Sequence, residues 1–355
     1  MNTNRTFSPF LAAAALALAL AAPAQLTADT FASQPVADTP PRPLTLSAAL
    51  AFAAQHNPEL RRVREQIREQ EGVLIEVQAL RSPRLDLTSR YSQTRFELAQ
   101  FPGVVAEAWQ TKLTASKVLY AGGAIRAGIG AASEQVEIAR LTYLAREQDV
   151  MLAVRQCFFT VLLDRELIAV REESIAVLET VLANAEHRHT AGVGSRFDVI
   201  RAEAALAHAQ PALLQARSTY RVAQDKLCRL LGTPATPGER DDLGIVGAFP
   251  EGGQPPALSA ALAEASAQRA ELLRQKHAVA AADHGLAASR GATRPTLAAQ
   301  AGYEYTGDYF SRRASDNIPG WSVGLEAKWA VFDGKATAGK IEQARSRSRQ
   351  VRLGA

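Results

Sequence analysis

Leu46-Ser47-Ala48-Ala49-Leu50-Ala51 recurs unchanged as Leu258-Ser259-Ala260-Ala261-Leu262-Ala263, at an offset of 212 residues. The offset holds well beyond this hexapeptide, without a gap. Glu59-Leu60 maps onto Glu271-Leu272, Pro83 onto Pro295, Tyr91 onto Tyr303, Trp109 onto Trp321 and Gly122 onto Gly334. Ala-rich helices resemble one another by composition, but composition does not hold Pro, Tyr, Trp and Gly in one register. The chain therefore reads as an internal duplication. The first repeat covers 46–231, a linker dense in Gly and Pro covers 232–257, and the second repeat covers 258–355.

Each repeat opens with helix. Leu46–Ala54 is a short apolar segment ending near Asn57-Pro58, and Pro58 suits the first turn of a following helix. From Glu59 to Leu80 the apolar residues Leu60, Val63, Ile67, Leu74 and Val77 recur at helical spacing until Pro83 stops the pattern. The period then changes to two, predicting strands over 84–94 and 109–120, and over 296–305 and 321–332 in the second repeat. Leu85, Leu87 and Tyr91 take one face of their strand, and Trp321, Val323, Leu325, Ala327, Trp329 and Val331 take one face of theirs. The charges Arg84, Asp86, Arg90, Lys112, Glu326 and Lys328 take the other. Such runs match the length of a transmembrane barrel strand with a polar lumen side. Alternation alone fits a soluble sandwich equally well. The segments 95–108 and 306–320 read as connecting loops.

After Gly122-Gly123 a helical pattern runs over 124–190 with no Pro, 67 residues or about 100 Å. That length points to a coiled coil or helical tube, although a stiff structural rod also accounts for it. Ala191-Gly192-Val193-Gly194 breaks the pattern. Ser195-Arg196-Phe197-Asp198 then has the form of a capping box, with Asp where Glu or Gln is usual. The returning helix reaches Leu231 and carries Pro211, which should bend or locally adjust it. Cys157 and Cys228 are equally far from this tip. A disulfide and two small buried side chains both fit that placement.

The N-terminus has the form of a secretory signal peptide over 1–24, with an apolar run Phe10–Ala22 followed by Ala22-Pro23-Ala24. Residues 25–45, rich in Pro, Thr and Asp, read as a flexible lead-in. No later stretch approaches the ~20 consecutive apolar residues of a membrane helix. Lys and Arg number 40 against 36 Asp and Glu, too even a balance to imply a nucleic-acid partner. His187 and His189 stand two apart and diverge by roughly 200° on a helix, so they do not share a metal. No metal spacing, nucleophile elbow, P-loop or dinucleotide fingerprint is present, so neither a cofactor nor an enzyme activity is expected.

Several motifs together resemble the TolC family. They are Leu44-Thr45-Leu46-Ser47-Ala48-Ala49-Leu50-Ala51 with Asn57-Pro58-Glu59-Leu60, the junctions Leu119-Tyr120-Ala121-Gly122-Gly123 and Val331-Phe332-Asp333-Gly334, and the stretch from Ala191 to Ala204. The resemblance covers about 44–350. It implies a mainly α fold with β structure, in which long antiparallel helical hairpins form a periplasmic α-barrel. Each protomer would give four strands to a twelve-stranded barrel in the Gram-negative outer membrane, closed as a homotrimer. The chain would then be the exit duct of a tripartite efflux pump or type I secretion system, working with a periplasmic adaptor and an inner-membrane transporter. The resemblance places adaptor docking at the tip, Ala191, Gly192, Val193, Gly194, Ser195, Arg196, Phe197 and Asp198. It sets the six strand charges toward a wet lumen and the two strand loops outside the cell. The alternative is a non-conducting exported coiled-coil or adaptor protein. By the repeat offset a second tip would fall near position 404, beyond Ala355. The expectation is a truncated second hairpin and a chain unable to seal a tunnel alone.

Overall fold

The computed structural model describes residues 40–98, 101–233, 243–249, 252, 256–307 and 318–354. The expected signal peptide and the 25–39 part of the lead-in lie outside them. The element order is α1 (Leu46–His56), α2 (Pro58–Ala79), β1 (Arg84–Leu98), β2 (Phe101–Ala121), α3 (Ala124–Thr190) and α4 (Arg196–Leu231) in the first repeat. The second gives α5 (Leu258–Gln268), α6 (Ala270–Gly291), β3 (Thr296–Gly307), β4 (Ile318–Lys328) and α7 (Ala336–Leu353). The fold is mainly helical with one four-stranded antiparallel sheet in the order β1-β2-β3-β4. The 212-residue offset carries α1 onto α5 and α2 onto α6 at both ends, and the starts of β1 and α3 onto those of β3 and α7.

Local chemistry sets the helix ends. Thr45 caps α1, its hydroxyl accepting from Ala48 N at 3.3 Å. Asn57 ends α1 and starts α2, its Oδ1 accepting from Glu59 N at 2.9 Å and Leu60 N at 3.1 Å. Its Nδ2 donates to the Leu230 carbonyl at 2.7 Å, tying both helices to the end of α4. The α4 helix runs through Pro211 to Gly232.

Two compact units cut across the repeats, one built from Gln70–Val136 and Gln275–Ala355, the other from Pro35–Glu69 and Glu137–Arg274. The second unit holds the hydrophobic core. Phe52 and Leu60 of the opening helices pack with Val150, Val154, Phe158 and Val161 of α3 and with Leu227 and Leu231 of α4. This core corrects two expectations. The lead-in is not flexible up to 45, because Leu44 is fully buried and bridges Ile245 in parallel. Nor is 232–257 merely a linker. Leu243 and Ile245 enter the core, Phe249 stacks on Phe159, and Arg165 donates to the Ile245 carbonyl at 2.9 Å. Burying these apolar side chains outweighs the local disorder that Gly and Pro favour.

In the first unit α6 is held on both sides. His277 Nδ1 lies 2.6 Å from Glu134 Oε2 of α3. On the other side Asp283 accepts from Ser348 at 2.8 Å and from Arg352 at 2.7 Å, both on α7. Those two donors hold the Asp283 carboxyl below the usual carboxylate range. The strand boundaries also correct the sequence reading. Residues 95–98 and 101–108 belong to strands, since β1 and β2 pair as far as Leu98↔Phe101. A backbone ladder continues regardless of side-chain alternation. Likewise 306–307 belong to β3 and 318–320 to β4, while 308–317 lie outside the described residues. The last strand stops at Lys328 rather than at 332, because Lys328 pairs with Thr296, where β3 begins.

The two strand-to-helix junctions differ at one position. Gly123 (φ +88) is replaced in the second repeat by Lys335 (φ +70), the one non-Gly residue with positive φ among the described residues. A side chain in that conformation costs about 1 kcal/mol. Lys335→Gly is therefore expected to raise stability by about that amount, read as a higher denaturant midpoint in chemical unfolding.

Candidate functional site

The hairpin tip is built by α3 ending at Thr190 and α4 starting at Arg196. Ala191 N donates to His187 O, Gly192 N to His189 O and Val193 N to Arg188 O, all near 3.0 Å, closing the last turn of α3. His189 Nδ1 bonds the Gly194 carbonyl at 3.1 Å, and Ser195 Oγ accepts from Phe197 N at 3.1 Å. Ser195 caps α4 but the capping box is not formed, because its Oγ takes the second-position amide of Phe197 rather than the third-position amide of Asp198. Asp198 does not reach back to the Ser195 amide, its side chain being one methylene shorter than Glu.

Of the eight tip residues, 191–195 make the turn and Arg196, Phe197 and Asp198 open α4, and their large apolar side chains stand exposed. Val193 is 72% exposed and Phe197 68%, with Ile200 beside them on α4. Below the turn a groove of about 420 Å³ opens between the helices, walled by Ala185, Ala202 and Ala205. Arg188, Asp198 and Arg201 line it and form no ion pair with any described residue. Arg188 and Arg201 were not among the docking residues singled out from the sequence, because the groove exists only once two helices face each other.

The sheet has two unlike faces. One row crosses all four strands as Leu87, Leu113, Tyr303 and Trp321, and the next as Leu85, Ala115, Ala301 and Val323. These side chains lie in the open, with Trp321 80% and Val323 75% exposed. The register puts Arg84, Asp86, Arg90, Lys112, Glu326 and Lys328 together on the opposite face. Arg84 donates to Asp86 at 2.8 Å. Glu304 joins them, accepting from Gln110 at 2.7 Å and lying 3.8 Å from Lys112. That pairing depends on the β2–β3 register, which no single strand carries in its own sequence. Among the described residues, strands β1 and β4 each keep one unpaired edge.

Neither cysteine is in a disulfide. Cys157 donates to the Ala223 carbonyl at 3.4 Å, and Cys228 is buried in the core. Burial raises the Cys157 pKa, which works against thiol exchange. The pairing offered by their equal spacing from the tip is therefore not formed.

One buried charge stands out on α3. Asp164 is buried, and its Oδ2 has no hydrogen-bond partner among the described residues. Burial raises its pKa. A carboxyl raised in the fold favours the folded state below its unfolded pKa, and that contribution is lost as pH rises through the folded value. Asp164→Asn should therefore stabilise the chain near neutral pH by about 1 kcal/mol. The gain should shrink as both chains are taken to acid pH, read from unfolding midpoints across a pH series.

Among the described residues, no helix is long and apolar enough to cross a membrane. The family model described as outer membrane efflux protein matches residues 50–233. The outer membrane efflux protein BepC of Brucella suis is 27% identical over 317 residues, 87% of this chain and 65% of that protein. The cobalt-zinc-cadmium resistance protein CzcC of Cupriavidus metallidurans is 27% identical over 239 residues, 66% of this chain and 54% of that protein. The chain thus spans about two thirds or less of the length of both relatives. Among solved structures, CusC superposes with a TM-score of 0.72 at 18% identity, over 87% of this chain and 71% of that one. The Campylobacter jejuni outer membrane channel CmeC superposes with a TM-score of 0.74 at 13% identity, over 87% and 66%. Both likenesses establish the fold.

Proposed function

Because this chain belongs to the outer membrane efflux protein family, we propose that it is an exit-duct subunit, closing with further copies of itself into an outer-membrane barrel. The observation that carries this reading is the sheet. Its exposed apolar face suits lipid, its charged face suits a watery lumen, and its two open edges are not tolerated in hydrocarbon. Symmetric closure with copies removes those edges, and the resemblance gives three. The duct does no chemistry on its cargo. The apolar tip takes a periplasmic adaptor, which links it to an inner-membrane transporter.

Fractionation of expressing cells tests the first part. The duct reading requires the chain in the outer-membrane fraction, released only by detergent. Recovery in the soluble periplasm overturns it. A tip variant such as Phe197→Asp should insert normally but lose adaptor capture and export. Unchanged export in that variant removes the tip from the account.

A further inference from the structure

Where strands give way to helices the chain is short of acids. Residues 77–85, 117–133, 284–303 and 327–341 hold nine Lys and Arg against one acid, Asp333, whereas the whole chain is nearly balanced at 40 against 36. The fold brings these four stretches to one end of the sheet, within the first unit. Ala121 pairs with Thr296 and Thr296 with Lys328, so β2 ends, β3 begins and β4 ends side by side. The Arg294 guanidinium donates to the Gly122 carbonyl at 3.4 Å, and Trp329 Nε1 donates to the Thr293 carbonyl at 3.1 Å. Arg84 opens β1 opposite Ser116, next to Lys117. We propose that this basic collar is a docking surface for anionic phospholipid headgroups in the membrane leaflet that faces the periplasm. The inference rests on the duct reading for the presence of that leaflet.

Elsewhere in the chain arginines are matched. Arg68, Arg140, Arg146, Arg217 and Arg352 each hold an acid within 3.4 Å. In the collar Arg81, Lys117, Arg126, Arg290, Arg294 and Lys335 are exposed and form no ion pair with any described residue. The one acid is already engaged, since Asp333 accepts from Thr337 N at 2.8 Å at the start of α7. Like charges gathered in this way repel one another, and an anionic surface relieves that repulsion. Lys335 gives a second, independent sign. Its φ of +70 is the conformation that Gly123 takes up at the matching junction of the first repeat. Glycine would sit there with less strain, yet the second repeat keeps a cation.

The partner follows from what stands beside the charges. Leu119, Trp329, Val331 and Phe332 are exposed in the same stretches, so the collar is apolar as well as cationic. A free phosphate would meet only the charges. A phospholipid meets both, its acyl chains against the aromatic and aliphatic side chains and its phosphate against Lys and Arg. Lys117 marks the join. It stands on the apolar face of the sheet, in the row of Ala299 and Leu325, and the next two rows of that face, through Ala115 and Leu113, carry no charge. A lysine so placed lays its alkyl stem along apolar surface and carries its ammonium to the headgroup level. Headgroups with net negative charge suit the collar better than zwitterionic ones, because it offers no free acid to a choline or ethanolamine ammonium.

The test takes the full chain from outer membrane into a neutral detergent and offers it mixed micelles of phosphatidylcholine and phosphatidylglycerol. Native mass spectrometry then reads which lipid the protein retains. The parent should retain phosphatidylglycerol in preference. A cation near an anionic surface is worth about fivefold, so Lys117→Gln should lower the preference by about that factor. The triple variant Arg81→Gln, Lys117→Gln, Arg126→Gln should lower it by at least about tenfold. Arg68→Gln with Arg146→Gln, which removes two paired cations outside the collar, should leave it unchanged. In the parent itself the preference should fade across a salt series in the exchange step, as the screening length falls from about 10 Å at 0.1 M to about 3 Å at 1 M. Equal retention of the two lipids by the parent, a preference that salt does not weaken, or an unaltered preference in the triple variant overturns the collar. Displacement of phosphatidylglycerol by inorganic phosphate overturns it too, as the mark of a phosphate site rather than a lipid surface. A stronger preference for lipopolysaccharide overturns the assignment to the periplasmic leaflet. Each of these outcomes is read on protein taken from the outer membrane and leaves the duct standing. A chain recovered only from the soluble periplasm overturns both.

Discussion

Gly232→Ala is expected to break the joint between α1 and α4. Gly232 ends α4 with φ +79, and a Cβ there would overlap the carbonyl oxygen of His56. Two costs therefore add, a side chain in the left-handed region and an overlap with backbone that no rotamer change relieves, together roughly 2–5 kcal/mol. The joint is a bad place to lose that much. Asn57 bonds the Leu230 carbonyl beside it, and Leu227 and Leu231 are fully buried against α1 and α3. Chemical unfolding followed by circular dichroism should show a much lower midpoint, with the amides of α1 losing protection from hydrogen exchange first. A variant that unfolds at the parent's midpoint would show that α1 does not depend on this seat.

The second large effect concerns the sheet and reads its two faces against each other. Val323 lies mid-strand on the apolar face, and Ser322 beside it lies on the charged face. Val323→Arg should cost about 2–4 kcal/mol per copy if that face meets lipid. Every copy in the ring carries the same charge, so the loss of assembled protein from the outer membrane should be nearly complete. Ser322→Arg adds the same side chain one residue away, on the face with Arg90 and Lys112, and should assemble at close to the parent's yield. Equal yields for the two variants would mean that neither face is buried in hydrocarbon.

Much of this arrangement was legible in the sequence because it was written twice. The identical hexapeptides at Leu46 and Leu258 fixed the frame, and the helix ends at His56 and Gln268 fall at equivalent positions. The tip was legible from turn residues whose backbone needs are local. Strand ends were not, because a ladder ends where its neighbour ends. Lys328 stops β4 opposite the start of β3, although the alternation in the sequence runs on to Phe332. Leu44 and Ile245 were not legible either. Their neighbours are Pro and Gly, and only the meeting of two segments some 200 residues apart in sequence buries them. The pairing of Glu304 with Lys112 has the same origin, a register between strands that no single stretch encodes.

The account's central claim is that this sheet, multiplied, encloses a water-filled path through the outer membrane. Purified protein added to a planar lipid bilayer measures that directly. Only the sheet has to close for ions to cross the bilayer, whether or not the helices seal a periplasmic tunnel, so the account predicts discrete, long-lived conductance steps from the parent chain and from Ser322→Arg, and none from Val323→Arg. A parent chain that sits in the bilayer as a stable oligomer and passes no ionic current would contradict it.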